Sequence, residues 1–97
     1  MEETKWIICS NSVVWRIVDR EAVILGADGN TYFSLNETAT RMWEMLDKGH
    51  SGNDIVNTVS REYGLTKSKI EKDYRAFIAA LKKEKLIKNG PRVAKKY

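Results

Sequence analysis

The chain holds one cysteine and one histidine, the two side chains most often used as nucleophile, base or metal ligand near neutral pH. Cys9 is the only cysteine, which excludes an internal disulfide and any multi-cysteine metal centre. No activating base is identifiable near it, so it reads as a small hydrophobe. His50 is the only histidine; beside Gly49 in a turn it reads as a solvated side chain with no ligand set for a metal. Nucleophile–base pairing and a phosphate-cradling glycine loop are both missing, so neither catalysis nor a cofactor is expected. No apolar run approaches the roughly 20 residues that span a bilayer. The start, Met-Glu-Glu-Thr-Lys, lacks a basic segment followed by an apolar one, so no secretion signal is read and a cytoplasmic location is expected. A membrane partner is not expected.

What is present is an ordinary globular composition over 97 residues, enough for one domain with one modest core. The net charge of +4 is unevenly placed. Lys82, Lys83, Lys85, Lys88, Arg92, Lys95 and Lys96 stand against Glu84, so residues 82–97 carry +6 and residues 1–81 carry −2. The folded body is therefore not a general binder of polyanions. The domain is expected to span residues 1–90, with its core in 12–88, and residues 91–97 read as a basic, disordered tail.

The central stretch is Asn30-Thr31-Tyr32-Phe33-Ser34-Leu35-Asn36-Glu37-Thr38-Ala39, continuing through Trp43 to Gly49. Thr31, Tyr32 and Phe33 suit a half-buried pleated surface, and the strand stops at Leu35. Asn36 can cap the helix that follows, and Glu37 lies where the helix dipole favours negative charge. Ala39, Met42, Trp43 and Leu46 recur at helical spacing, with Gly49 as the stop. Trp43 on that stripe reads as core.

Upstream, Trp6-Ile7-Ile8-Cys9 suggests a short edge strand or an arm lying on the domain. Val13 to Val18 and Glu21 to Leu25 read as strands joined by a tight turn at Asp19-Arg20. Gly26-Ala27-Asp28-Gly29 is the clearest turn signal and leads into the third strand. Downstream, Ser51 and Asp54 open a helix with Ile55, Val56, Val59 and Tyr63, closed by Gly64. Thr66 or Ser68 caps a longer helix, with Ile70, Tyr74, Phe77, Ile78 and Leu81 at 3–4 spacing, running to about Lys85. Leu86-Ile87 closes it against the core. The expected fold is α+β and winged-helix-like: a three-stranded antiparallel sheet followed by three helices.

Glu21-Ala22-Val23-Ile24-Leu25, then Gly29-x-x-Tyr32-Phe33-x-Leu35-Asn36-x-Thr38-Ala39, then Met42-Trp43-x-x-Leu46-x-x-Gly49 resembles the PqqD-like family. Its members are also called RiPP precursor peptide recognition elements. Ile55-Val56, Val59, Tyr63, Asp73-Tyr74-x-x-Phe77-Ile78-x-x-Leu81 and Leu86-Ile87 extend the resemblance over roughly residues 12–88. It implies a non-catalytic adaptor that binds the leader segment of a ribosomally made precursor peptide and presents it to maturation enzymes. The leader is expected to add as a strand on the edge of the third strand, at Asn30, Thr31, Tyr32, Phe33, Ser34 and Leu35. Its side chains are expected to rest against the third helix, beside Lys69, Asp73, Ala76, Phe77 and Ala80. In a meander ordered 1-2-3 the third strand is an edge, and it contains no proline to block pairing. By alternation Phe33 and Leu35 face the core, and Tyr32 and Ser34 face away.

The blander readings are that Asp73 is a mate for Lys69 or Lys72, and that Phe77 is partly core. The stand-alone type of lasso-peptide pathways is preferred, with a leader peptidase or cyclase as the enzyme partner. The alternatives are a peptide chaperone of pyrroloquinoline quinone biosynthesis and a winged-helix nucleic-acid binder. Against the latter, Glu71, Asp73 and the two alanines interrupt the face a reading helix would need, so no nucleic-acid partner is expected. A monomer is expected, with dimerisation through the strand edge or the N-terminal arm as the alternative.

Overall fold

The computed structural model describes residues 6–9, 13–26, 29–30 and 32–89. Thr31, the turn residues Ala27 and Asp28, and the tail 91–97 lie outside the described residues. The chain runs β1 (Trp6–Ile8), β2 (Val13–Val18), β3 (Glu21–Gly26), β4 (Tyr32–Ser34), α1 (Glu37–Asp47), α2 (Gly52–Tyr63), α3 (Lys67–Lys83) and β5 (Ile87–Asn89).

The expected meander is present as an antiparallel sheet ordered β2-β3-β4. Asp19 and Arg20 join β2 to β3 with φ of 52° and 68°. Two consecutive left-handed residues make the kind of two-residue turn whose twist matches the flanking strands. Alternation then sorts the faces. Val13, Ala22, Ile24 and Leu35 are buried, with Trp15 and Phe33 packed against them. Glu21, Leu25, Tyr32 and Ser34 face outward.

The expected order of three strands followed by three helices needs correction. Two further strands, β1 and β5, pair antiparallel in a separate two-stranded sheet, with Trp6, Ile7 and Ile8 opposite Asn89, Lys88 and Ile87. The Cys9 N–H adds a bond to the Leu86 carbonyl at 2.8 Å. The Trp6-Ile7-Ile8 segment is thus a strand, and Ile87, expected only to close the last helix against the core, opens its partner. Three-residue strands are too short to show an alternation signal, and their pairing spans the whole chain, so sequence spacing carries no trace of it.

Each helix starts on a side-chain cap. Asn36 Oδ1 accepts from the Ala39 N–H at 2.9 Å, Ser51 Oγ from Asp54 at 3.2 Å, and Thr66 Oγ1 from Lys69 at 3.3 Å. Helix α1 closes with Gly49 N–H on the Leu46 carbonyl and His50 N–H on the Met45 carbonyl, a reversal for which Gly49 takes φ 84°. Helix α3 ends at Lys83, two residues short of the expected end. Trp43, Met42, Leu46, Ile55, Val56, Val59, Ile70 and Leu81 form the fully buried centre. Trp43 is core, as its spacing suggested, and meets Trp15 edge-on with ring centroids 5.8 Å apart. Between α1 and α2, Arg41 grips Glu62 through two bonds of 2.9 and 3.2 Å. That hydrogen bond holds the Glu62 carboxyl below the usual carboxylate range.

Candidate functional site

The site is built from one corner, where β4 turns into α1 with only Leu35 and Asn36 between them. Along β4, Ser34 pairs with Val23, Phe33 with Ile24, and Tyr32 with Leu25. The ladder runs one residue further, because the Leu35 N–H donates to the Ala22 carbonyl at 2.8 Å. In an antiparallel pair, residues alternate between pointing their N–H and C=O at the partner strand and away from it. Since Leu35 points toward β3, Phe33 does too. The N–H and C=O groups of Tyr32 and Ser34 therefore point away from β3, toward a side where no strand pairs among the described residues.

Thr40, which sequence reasoning did not single out, ends this ladder. Its side chain is buried in the first turns of α1. Its hydroxyl accepts from the Ala22 N–H at 2.8 Å and donates to the Leu35 carbonyl at 3.3 Å. The hydroxyl is inserted where the next β3–β4 bond would form, so the chain leaves the sheet without stranding either backbone group. A threonine on the buried side of the helix, five residues after Leu35, was the available signal.

The expected site residues fall into two groups. On β4, Phe33 is half-buried against the core and Leu35 is buried, while Tyr32 and Ser34 are exposed; Asn30 is exposed just upstream. Tyr32 also ends a cross-strand row with Leu25 and Val14, the three residues being 62%, 45% and 69% exposed. That outward apolar row escaped the sequence reading because only strand register brings the three together. On α3, Lys69 and Asp73 form an exposed i,i+4 ion pair at 3.1 Å, the mate that the blander reading named. Ala76 is exposed, Ala80 half-buried, and Phe77 half-buried against the core. The main contacts of α3 are with α2, and those of β4 with β3.

Chemically, the corner offers backbone donors and acceptors beside apolar side chains. Among the described residues no group of three or more His, Cys, Asp and Glu is placed to hold a metal ion. No helix of the described residues is long and apolar enough to cross a membrane.

A small α+β domain whose three-stranded meander leaves the outer edge of β4 without a partner strand among the described residues is the class that fold and site define. The profile of the family described as "Coenzyme PQQ synthesis protein D (PqqD)" matches residues 21–87, and the chain belongs to that family. The matched span opens at β3 and closes at β5. Among solved structures, the chain is similar to "TbiB1 in Complex with the TbiA(beta) Leader Peptide", at 31% identity and a TM-score of 0.77, over 89% of this chain and 99% of that one. It is also similar in fold to "Lasso peptide synthetase B1 complexed with the leader peptide", at 24% identity and a TM-score of 0.76, over 87% of this chain and 98% of that one. No curated protein sequence matches the chain.

Proposed function

We propose that this protein is a non-catalytic recognition protein for the leader segment of a ribosomally synthesised precursor peptide. The leader adds as a strand to the β4 edge, bonding to the outward N–H and C=O groups of Tyr32 and Ser34. Asn30 lies upstream of that edge, Thr31 is a proposed contact outside the described residues, and Phe33 and Leu35 support the edge from the core side. The leader side chains rest toward α3, where Ala76 and Ala80 leave room, Phe77 offers an apolar wall, and Lys69 and Asp73 offer charge. The domain is thus a winged-helix-like frame used for strand capture, which supplies sequence-tolerant affinity through the main chain and specificity through side-chain pockets.

The observation that carries this reading is the β4 edge, unpaired among the described residues of a PqqD-family chain, together with the leader-bound state of its 31%-identical relative. The bound leader is delivered to maturation enzymes, in our reading the leader peptidase and cyclase of a lasso-peptide pathway. The Asn36-x-Thr38-Ala39 corner and Trp43 support that pathway. The family's own description supports a second reading, a peptide chaperone in pyrroloquinoline quinone synthesis.

Fluorescence-polarisation titration of a labelled leader peptide from the neighbouring precursor gene tests the proposal, with a DNA duplex alongside. A dissociation constant of roughly 0.1–10 μM is expected for a preformed edge capturing a flexible chain that must be ordered. The affinity should change little with salt, because backbone bonds and apolar contacts carry it. Binding of the duplex with a steep loss on adding salt, and none of the leader, would replace this reading with a nucleic-acid one. Preference for a pyrroloquinoline quinone precursor over a lasso leader would select the second reading.

A further inference from the structure

The last turn of α3 and the strand after it carry positive charge that takes part in no ion pair among the described residues. Lys82, Lys83, Lys85 and Lys88 are all exposed, with Glu84 the only acid among them. The ion pairs of the described residues lie elsewhere, at Arg41–Glu62, Lys69–Asp73 and Arg75–Glu71. The helix dipole accounts for Lys82 and Lys83 in the final turn. It does not account for Lys85 or Lys88, which lie beyond the helix.

Lys85 sits at φ 61°, in the left-handed region that glycine normally fills after a helix. The bonds that close this turn, Lys85 N–H to the Lys82 carbonyl at 2.9 Å and Leu86 N–H to the Leu81 carbonyl at 3.0 Å, are main-chain bonds that glycine would make equally well. The turn itself therefore does not call for a lysine, and the side chain is available for another use. Lys88 stands on the outer face of β5, opposite the exposed Ile7. Lys82 is held in place, its ammonium 5.0 Å from the centroid of the Trp6 ring. The three lysines thus stand on three successive supports, the last turn of α3, the turn after it and β5.

We infer that this end of the molecule is a docking site for an Asp- and Glu-rich segment of a partner protein, distinct from the β4 edge. Ammonium groups on separate fixed supports suit single carboxylates. No arginine among the described residues of this cluster forks a phosphate, and no exposed aromatic ring offers a base a stacking platform, since Trp6 is buried. Ile7 supplies the one apolar contact. The inference rests on the reading above only in making that partner a maturation enzyme.

The test is titration of the full chain with a fluorescein-labelled deca-glutamate peptide, a DNA duplex of matched charge, and vesicles of neutral and anionic phospholipid. Deca-glutamate should saturate at the lowest concentration. Combining Lys82→Gln, Lys85→Gly and Lys88→Gln should weaken it by about tenfold, from three exposed charge pairs each contributing about two- to threefold. A control that removes the same charge elsewhere, Arg61→Gln with Lys67→Gln and Lys72→Gln, should change it less than about twofold. Lys85→Gly alone should weaken deca-glutamate binding while raising Tm, because glycine suits the left-handed turn. A rise in Tm without loss of binding, equal losses in both triple variants, or tighter binding to duplex or vesicles would overturn the inference. Leader affinity should hold in every variant. A wild-type chain that binds deca-glutamate but no leader loses the proposed function and keeps this site.

Discussion

Thr40 shows how much one hydroxyl decides at the scale of the residue. It bridges the Ala22 N–H and the Leu35 carbonyl, two groups that the sheet would otherwise pair or leave stranded. Thr40→Val keeps the shape and removes the bridge, leaving a buried donor and acceptor unmatched. A loss of about 2 kcal/mol is expected, read as a lower midpoint in urea denaturation with an unchanged slope. Gly52 makes a quieter contribution. A Cβ there would fall 2.9 Å from the Tyr74 hydroxyl oxygen, so the glycine lets α2 start directly against α3. Neither role was legible in the sequence, where Thr40 is one polar residue in an amphipathic helix and Gly52 follows an obvious cap. Asn36, Ser51, Thr66, Gly49 and Gly64 were legible, because capping is a local contact between near neighbours.

Among the elements, β4 carries the most weight in the proposed function for its length. Its three residues alternate between two duties: Phe33 holds the strand to β3, and Tyr32 and Ser34 present their main chain to the open side. Proline scanning separates these duties. Ser34→Pro deletes an N–H on the open side only, so leader affinity should fall by about tenfold or more while Tm moves little. Phe33→Pro deletes an N–H that pairs with β3 and should lower Tm sharply. Equal behaviour of the two variants in a paired thermal-melt and binding experiment would show that the edge assignment is misplaced. The sequence located this strand within a residue and assigned its faces correctly, because alternation and the cap at Asn36 are strong local signals. The sequence does not state which backbone groups are left over; that follows from the Leu35–Ala22 bond.

The whole molecule is tied together at its two ends. The pairing of β1 with β5 brings Trp6 and Ile8 onto the core beside Leu86 and Ile87, and Lys82 onto Trp6. The N-terminal segment is therefore structural, and Ile8→Ala should cost about 2–4 kcal/mol in a single cooperative unfolding transition seen equally by tryptophan fluorescence and circular dichroism. A separate early transition reporting Trp6 alone would mean that the small sheet is an appendage. By itself the sequence determined the α+β class, the three helices with their caps, the β2-β3-β4 meander and the family, because each rests on periodicities and near-neighbour chemistry. Tertiary structure alone decided the second sheet, the Thr40 bridge, the Val14–Leu25–Tyr32 row and the seating of Lys82 over Trp6. Those depend on contacts between residues far apart in the chain, and no local pattern of side chains encodes the register at which distant segments meet.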